Sequence, residues 1–400
     1  MNISDYLNKA NLDIRKVKGV RFMDQKVTPD VLCIISDCVI NYVGDDLETT
    51  FTKNDIWESQ YFIKNVKNIF NKPDALKETA RSEYDKFVSQ PLQMLSFAQL
   101  LYCEKRGTTN FYKIKNQELL EYISLKEHNA YVFLYFYLLK VMESSGFLKN
   151  LINFKTLYEN GNLTEEKFQD LKDQFKKFIL GNTNINGKTE VYRIFPKVLN
   201  VFSAYNYIPG AIKGRLSKFP FCYGDLMYNR VNWRDRNKSK DITRQEAESL
   251  FAERVTDLGT SYNAYLVQKA MNTIRKLYRE SEIKDQWSSG DATQVHHIFS
   301  SKSFPSLAHY LENLIKLTPT QHFFKAHPNN KTTVINRDYQ LICLLAKSNS
   351  IETSLKAFGE RYYRKESFIY VINTGLSLSL NASLSFNDIR VNLVQHYNKN

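Results

Sequence analysis

Five of the seven histidines in this 400-residue chain fall within residues 293–330. His296 and His297 are adjacent, His309 follows a polar stretch, and His322 and His327 stand five positions apart. A neutral imidazole can take a proton from water or bind a metal ion near pH 7. The elements needed to hold such groups can be read around them. Residues 293–299 form a short β-type run ending in the His-His pair, residues 300–312 a polar loop containing Pro305, and residues 313–317 a second strand. Thr318-Pro319 reads as a helix N-cap followed by proline at the first helical position, and Pro328 stops a helix that carries His322. Strand, loop, strand and helix make a hairpin and a helix able to clasp one metal ion. A single His-His pair is commonly incidental and a single helical histidine is commonly packed; here the order of the parts carries the reading.

His296-His297-Ile298, Asn313 in the context ENLI, and His322 nine residues after that asparagine resemble the HNH, or ββα-metal, nucleases. The resemblance is confined to residues 293–330. It implies that His297 is the general base, that His296 and His322 are metal ligands, and that Asn313 pins the loop beneath the base. Some members use a third histidine four residues beyond the helical one, where this chain has Ala326. His327 lies one position later, about 140° round an ideal helix from His322, and precedes Pro328, which disfavours the α region. It is therefore open between metal ligand and phosphate contact. His309 has no counterpart and reads as a surface residue.

These residue types suit phosphodiester hydrolysis, which needs an activated water, positive charge for the pentacovalent transition state and help for the leaving oxygen. The implied cofactor is one Mg²⁺ per site, with Mn²⁺, Ni²⁺ or Co²⁺ also able to serve on imidazole ligands. The wider context, HHIF then ENLI, LTP, QH and AHP, is similar to HNH enzymes of restriction–modification systems. That implies a type II restriction endonuclease acting on double-stranded DNA and a companion methyltransferase; because the motif occurs once and would attack one phosphodiester at a time, a homodimer at least during cleavage is expected. A homing or toxin-type DNase, or a DNA-binding protein with an inactive HNH module, is the alternative.

A formal charge of +13 and a pI of about 9.2 suit a polyanionic partner. The longest apolar run, residues 130–139, is too short to span a bilayer and reads as a buried helix. The N-terminus has no signal-peptide core. Cys33, Cys38, Cys103, Cys222 and Cys343 are odd in number, without a CxxC, which fits reduced thiols in the cytoplasm and excludes a four-cysteine zinc site. No membrane partner is expected.

The fold expected is α+β: a mainly helical N-terminal domain followed by a ββα-metal module with flanking helices. Residues 1–182 form the helical domain, in which helix, turn, short β element and helix are compatible with a winged-helix or helix-turn-helix recognition or dimerisation module and equally with an ordinary helical bundle. A helix opens at Thr28-Pro29 with Val31, Leu32, Ile35, Val39 and Tyr42 on one face. Thr52 caps another carrying Ile56, Trp57, Phe62, Val66 and Ile69. The pattern after Pro91 is helical through Gly107, broken by residues 108–116, then helical again. Turn-rich residues 181–188 mark a boundary, and residues 183–285 form a basic DNA-contacting segment. Within it Lys213, Arg215, Lys218, Arg230, Arg234, Arg236, Lys238, Lys240 and Arg244 are interleaved with Phe219, Phe221, Tyr223, Tyr228 and Trp233, a pattern suited to phosphates and sugars. Residues 286–345 are the nuclease module. Residues 346–400 buttress it, with helices at 338–347 and 351–362 and a strictly alternating strand at 376–386.

Overall fold

Apolar periodicity in the first half of the chain becomes a stack of helices in the computed structural model, which describes residues 3–17, 21–70, 75–228, 259–327 and 335–399. In chain order these are α1 (Ile3–Asn8), α2 (Pro29–Val43), α3 (Lys53–Trp57), α4 (Gln60–Phe70) and α5 (Arg81–Phe97). A hairpin follows, β1 (Leu101–Arg106) and β2 (Thr109–Ile114), then α6 (Gln117–Leu125), α7 (Glu127–Ser144), α8 (Leu148–Glu159), α9 (Glu165–Asn182) and α10 (Lys188–Asn206). A second hairpin closes the series, β3 (Pro209–Ile212) and β4 (Arg215–Pro220).

α2 buries Val31, Leu32, Ile35 and Val39. Tyr42, expected on the same face, lies at the helix end and is exposed. The single helix expected after Thr52 is two. Thr52 and Asp55 form a capping box that starts α3, and α4 begins afresh at Gln60 after a turn. Residues 101–106, expected to be helical, are a strand instead. Gln99 at positive φ ends α5's course, and Gly107 turns the chain so that Leu101 pairs with Ile114 and Arg106 with Thr109. α7 is buried as expected, through Ala130, Phe133, Leu134, Tyr137 and Leu138. Among the described residues no helix is long and apolar enough to cross a membrane.

The chain divides into two units, Met1–Glu253 and Arg254–Asn400. The turn after α9 is present, but it is not the division expected at residue 182, because α10 packs back on α7, α8 and α9. Each unit mixes helices with small antiparallel sheets, so the α+β class holds.

In the second unit the order is α11 (Gly259–Leu277), β5 (Gln294–His297), β6 (Leu314–Leu317), a six-residue π-helical turn (Gln321–Ala326), α12 (Arg337–Phe358), α13 (Lys365–Leu376) and α14 (Phe386–Lys399). Its core gathers Ile298 and Phe299, from the start of the inter-strand loop, with Leu314 and Ile315 of β6, Leu344 of α12 and Val371 of α13. The two helices expected over 338–362 are the single α12 with a short 3-10 turn after it. The alternating segment 376–386 is not a strand. Leu378, Leu380 and Leu384 pack on the core from an irregular loop. The Asn373 side chain takes the place of a neighbouring strand, accepting from Leu380 N at 2.8 Å and donating to Leu380 O at 3.0 Å.

Candidate metal centre

β5 and β6 pair antiparallel, His296 opposite Ile315 and His297 opposite Leu314. Successive strand residues point to opposite faces. His296 accordingly turns inward, 2% exposed, while His297 sits half-buried on the other side. Asn313 closes the loop between the strands. Its fully buried side chain accepts from Phe299 N at 2.8 Å and donates to Phe299 O at 3.0 Å and Leu307 O at 3.1 Å. Its carbonyl accepts from Ile298 N at 2.9 Å.

That bonding places the next carbonyl, of Ala308, 3.0 Å from His297 Nε2. A carbonyl only accepts, so Nε2 carries the proton and Nδ1 keeps the lone pair. Burial lowers the His297 pKa and the Ala308 carbonyl partly offsets it. The ring is therefore neutral near pH 7, the form a general base requires.

Thr318 and Gln321 start the next turn with a reciprocal capping box: Gln321 N donates to Thr318 Oγ1 at 3.2 Å, and Thr318 N donates to Gln321 Oε1 at 3.0 Å. Gln321 is fully buried and also accepts from Ser281 Oγ at 2.6 Å. Its Nε2 donates to Ile283 O at 3.1 Å and Asp285 Oδ1 at 2.8 Å. The residue before His322 is thus fixed from five directions.

The turn then widens. His327 N donates to His322 O at 3.2 Å, an i→i+5 bond, so residue i+5 lies over residue i, as it would not in an α-helix. Ala326 goes into the core instead. Ring centroids of His322 and His327 are 4.8 Å apart, and those of His296 lie 5.3 and 4.9 Å from them. One ligand atom from each of the three falls within 4.8 Å of the others.

These residues fit a metal ion. His296 Nε2 and His322 Nδ1 are buried with no hydrogen-bond partner, a condition that costs about 1–3 kcal/mol per group unless something binds there. Burial and the neighbouring histidines hold the His296 pKa well below its usual value, and burial followed by His327 pushes His322 down to about 4. Both are in the neutral form that coordinates. Two nitrogens on one ion at ~2.1 Å can be at most ~4.2 Å apart, so coordination would draw the widest pair slightly together.

A second tier of residues escaped the sequence reading. Glu282 Oε1 accepts from Lys316 N at 2.8 Å and Glu282 N donates to Lys316 O at 3.0 Å, which completes the outer edge of β6. Lys347 of α12 meets the Glu282 carboxylate at 2.8 Å, both side chains fully buried. Gln340 Nε2 donates to Ile298 O at 2.7 Å. A lysine on the buried face of α12, between Leu344 and Ile351, was the one legible signal.

Of the basic residues, Lys213 and Arg215 flank the β3–β4 turn and Lys218 lies on β4, all exposed in the first unit. Arg230, Arg234, Arg236, Lys238, Lys240, Arg244 and Trp233 lie outside the described residues. The aromatics between them are mainly anchors: Phe221 is buried, and Tyr228 packs on Phe70 and Phe87 while its N–H donates to Asp30. Phe219 is exposed. His309, expected at the surface, is half-buried with its ring 4.9 Å from that of Tyr310. Comparisons of the chain with protein-family models, curated proteins and solved structures return no match.

Proposed function

We propose that the hairpin and π turn of the second unit are an HNH-type (ββα-metal) nuclease module, and that the chain is a metal-dependent, site-specific endonuclease of double-stranded DNA of the type II restriction kind. One observation carries this reading. His296, His322 and His327 bring one ligand atom each within 4.8 Å of the others, while His297, the strand neighbour of His296, is held by a backbone carbonyl in the tautomer of a base.

A bound ion would be held by those three histidines and would supply positive charge to the phosphoryl oxygens and the leaving oxygen. His297 Nδ1 takes a proton from water as the water oxygen bonds to phosphorus and the bond to the leaving sugar oxygen breaks. The leaving oxygen gains a proton from solvent, so one end bears a phosphate monoester and the other a hydroxyl. The Ala308 carbonyl orients the ring and stabilises the imidazolium that forms. Asn313 acts through Ala308, as a positioning residue.

The donor set bears on the metal. Mg²⁺ takes oxygen ligands and retains water, whereas three imidazoles suit Zn²⁺, Ni²⁺ or Co²⁺. A transition ion is therefore the proposed cofactor in place of Mg²⁺. The test is a digest of supercoiled plasmid, unmodified and methylated, with each ion in turn and with excess EDTA. Discrete bands that vanish with EDTA are expected. A smear would make the enzyme a nonspecific DNase, and shifted but uncut DNA under every ion would make the module a binding one.

A further inference from the structure

The turn that carries His322 and His327 also carries Phe323 and Phe324, and neither joins the core. Phe324 is 69% exposed and Phe323 37%. The Phe323 ring lies 4.7 Å from that of His322. Trp287, 39% exposed, is fixed beside the start of this turn, its carbonyl accepting from Thr318 Oγ1 at 2.9 Å. Lys325 Nζ sits 4.7 Å over the Trp287 ring. Three partly exposed aromatic rings and a cation therefore lie on or beside the turn that carries His322, and Phe323 joins them to the histidine cluster.

A single exposed apolar side chain is ordinary, but exposed rings gathered around one turn mark a contact surface. We propose that Phe324, supported by Phe323, inserts as a wedge at the base step flanking the scissile phosphate of a DNA duplex, unstacking that step while Lys325 meets the adjacent phosphate. The proposal rests on the nuclease reading and deepens it: the preferred substrate is a duplex that kinks readily at the cut, such as one with a pyrimidine–purine step there.

Two features favour a nucleic acid over a protein occupant. The patch is continuous with the histidine cluster through Phe323, so a phosphate at the cluster brings its flanking bases within reach. The patch also joins rings to a lysine, the pairing that receives bases together with phosphates.

The experiment places 2-aminopurine beside the cleaved bond of a cognate duplex and follows its fluorescence on binding of the His297→Ala variant, which keeps the wedge but lacks the base. Fluorescence should rise, and should not rise for Phe324→Ala in the same background. In the otherwise native protein Phe324→Ala should cut duplex DNA roughly tenfold to a hundredfold more slowly, and Phe324→Leu should recover most of the rate. Hydrolysis of bis(p-nitrophenyl) phosphate, which has no base step, and metal affinity should be unchanged in both. Unchanged duplex cutting and fluorescence in Phe324→Ala would overturn the wedge while leaving the nuclease reading intact. A change of oligomeric state in Phe324→Ala without loss of unstacking would assign the patch to a protein contact and also overturn it. Failure of the native protein to cut either substrate with any ion would instead remove the nuclease reading on which the wedge rests.

Discussion

His327 shows how one backbone hydrogen bond decides which residues a side chain meets. Counted on an α-helix, it points away from His322; closed by an i→i+5 bond, it meets His322 and His296. His327→Ala should therefore reduce metal affinity by more than the roughly 10–100-fold typical of losing an outer-shell partner, as should His296→Ala and His322→Ala. Titration calorimetry decides the matter: unchanged metal affinity with weakened DNA binding would make His327 a phosphate contact. The lowered histidine pKa values also have a stability consequence. His322 titrates at about 4 in the fold and near ~6.5 in an unfolded chain. Between those values the unfolded chain binds more protons, so metal-free stability should fall as pH drops from ~6.5 towards ~4. Thermal melts in EDTA at about pH 7 and pH 5 measure the drop, which should be smaller in His322→Asn. A drop of equal size in that variant would rule His322 out as its source.

At the scale of elements, the hairpin is held by residues distant in sequence. A Cβ on Gly375 of α13 would lie 2.5 Å from carbons of the Phe299 ring, and the Phe299 backbone is bonded at both N and O to Asn313. Gly375→Ala should cost about 1–3 kcal/mol by overpacking and slow cleavage by displacing the loop. Phe299→Leu in the same chain should relieve part of both losses, as urea unfolding and cleavage rates would report. Lys347→Met alone, leaving Glu282 buried and uncompensated, should cost about 3–5 kcal/mol. Adding Glu282→Leu should recover only part of that, because the carboxylate also accepts from Lys316 N. Full recovery in the double variant would show that this bond to β6 contributes nothing. These elements also mark how far local pattern reaches. β5, β6 and the Thr318 cap were legible because turn chemistry and short-range spacing set them, whereas the pinning role of Asn313 came only from the resemblance. The π turn, the break after α3 and the β1–β2 hairpin were not, because distant packing and pairing select among local alternatives. The alternating segment 376–386 misled, since Asn373 satisfies a backbone that alternation alone assigns to a sheet.

At the scale of the whole molecule, the chain divides after Glu253, not at the turn following α9. A turn-rich stretch marks a change of direction, and whether it also separates domains depends on where the next helix packs; α10 returns to the first unit. Lys213, Arg215 and Lys218 thus belong to the first unit and the histidine cluster to the second. Neutralising those three together should weaken DNA binding and flatten its salt dependence by just under one unit of slope for each phosphate no longer neutralised, without altering metal affinity. An unchanged slope would leave them as solvated surface. If the cluster attacks one phosphodiester at a time, as proposed, cutting both strands calls for two chains or for one chain that releases and re-engages, and an isologous pair would match the two-fold of a symmetric site. A second-order dependence of double-strand cutting on enzyme concentration is expected for a chain that is monomeric in sedimentation. Whether His297 is the base beside a three-histidine metal site is decided by single-turnover cleavage with His297→Ala at saturating metal and DNA. Cleavage should fall by roughly 10²–10⁴-fold with metal and DNA affinity retained; a rate within a few-fold of the native protein would contradict that role.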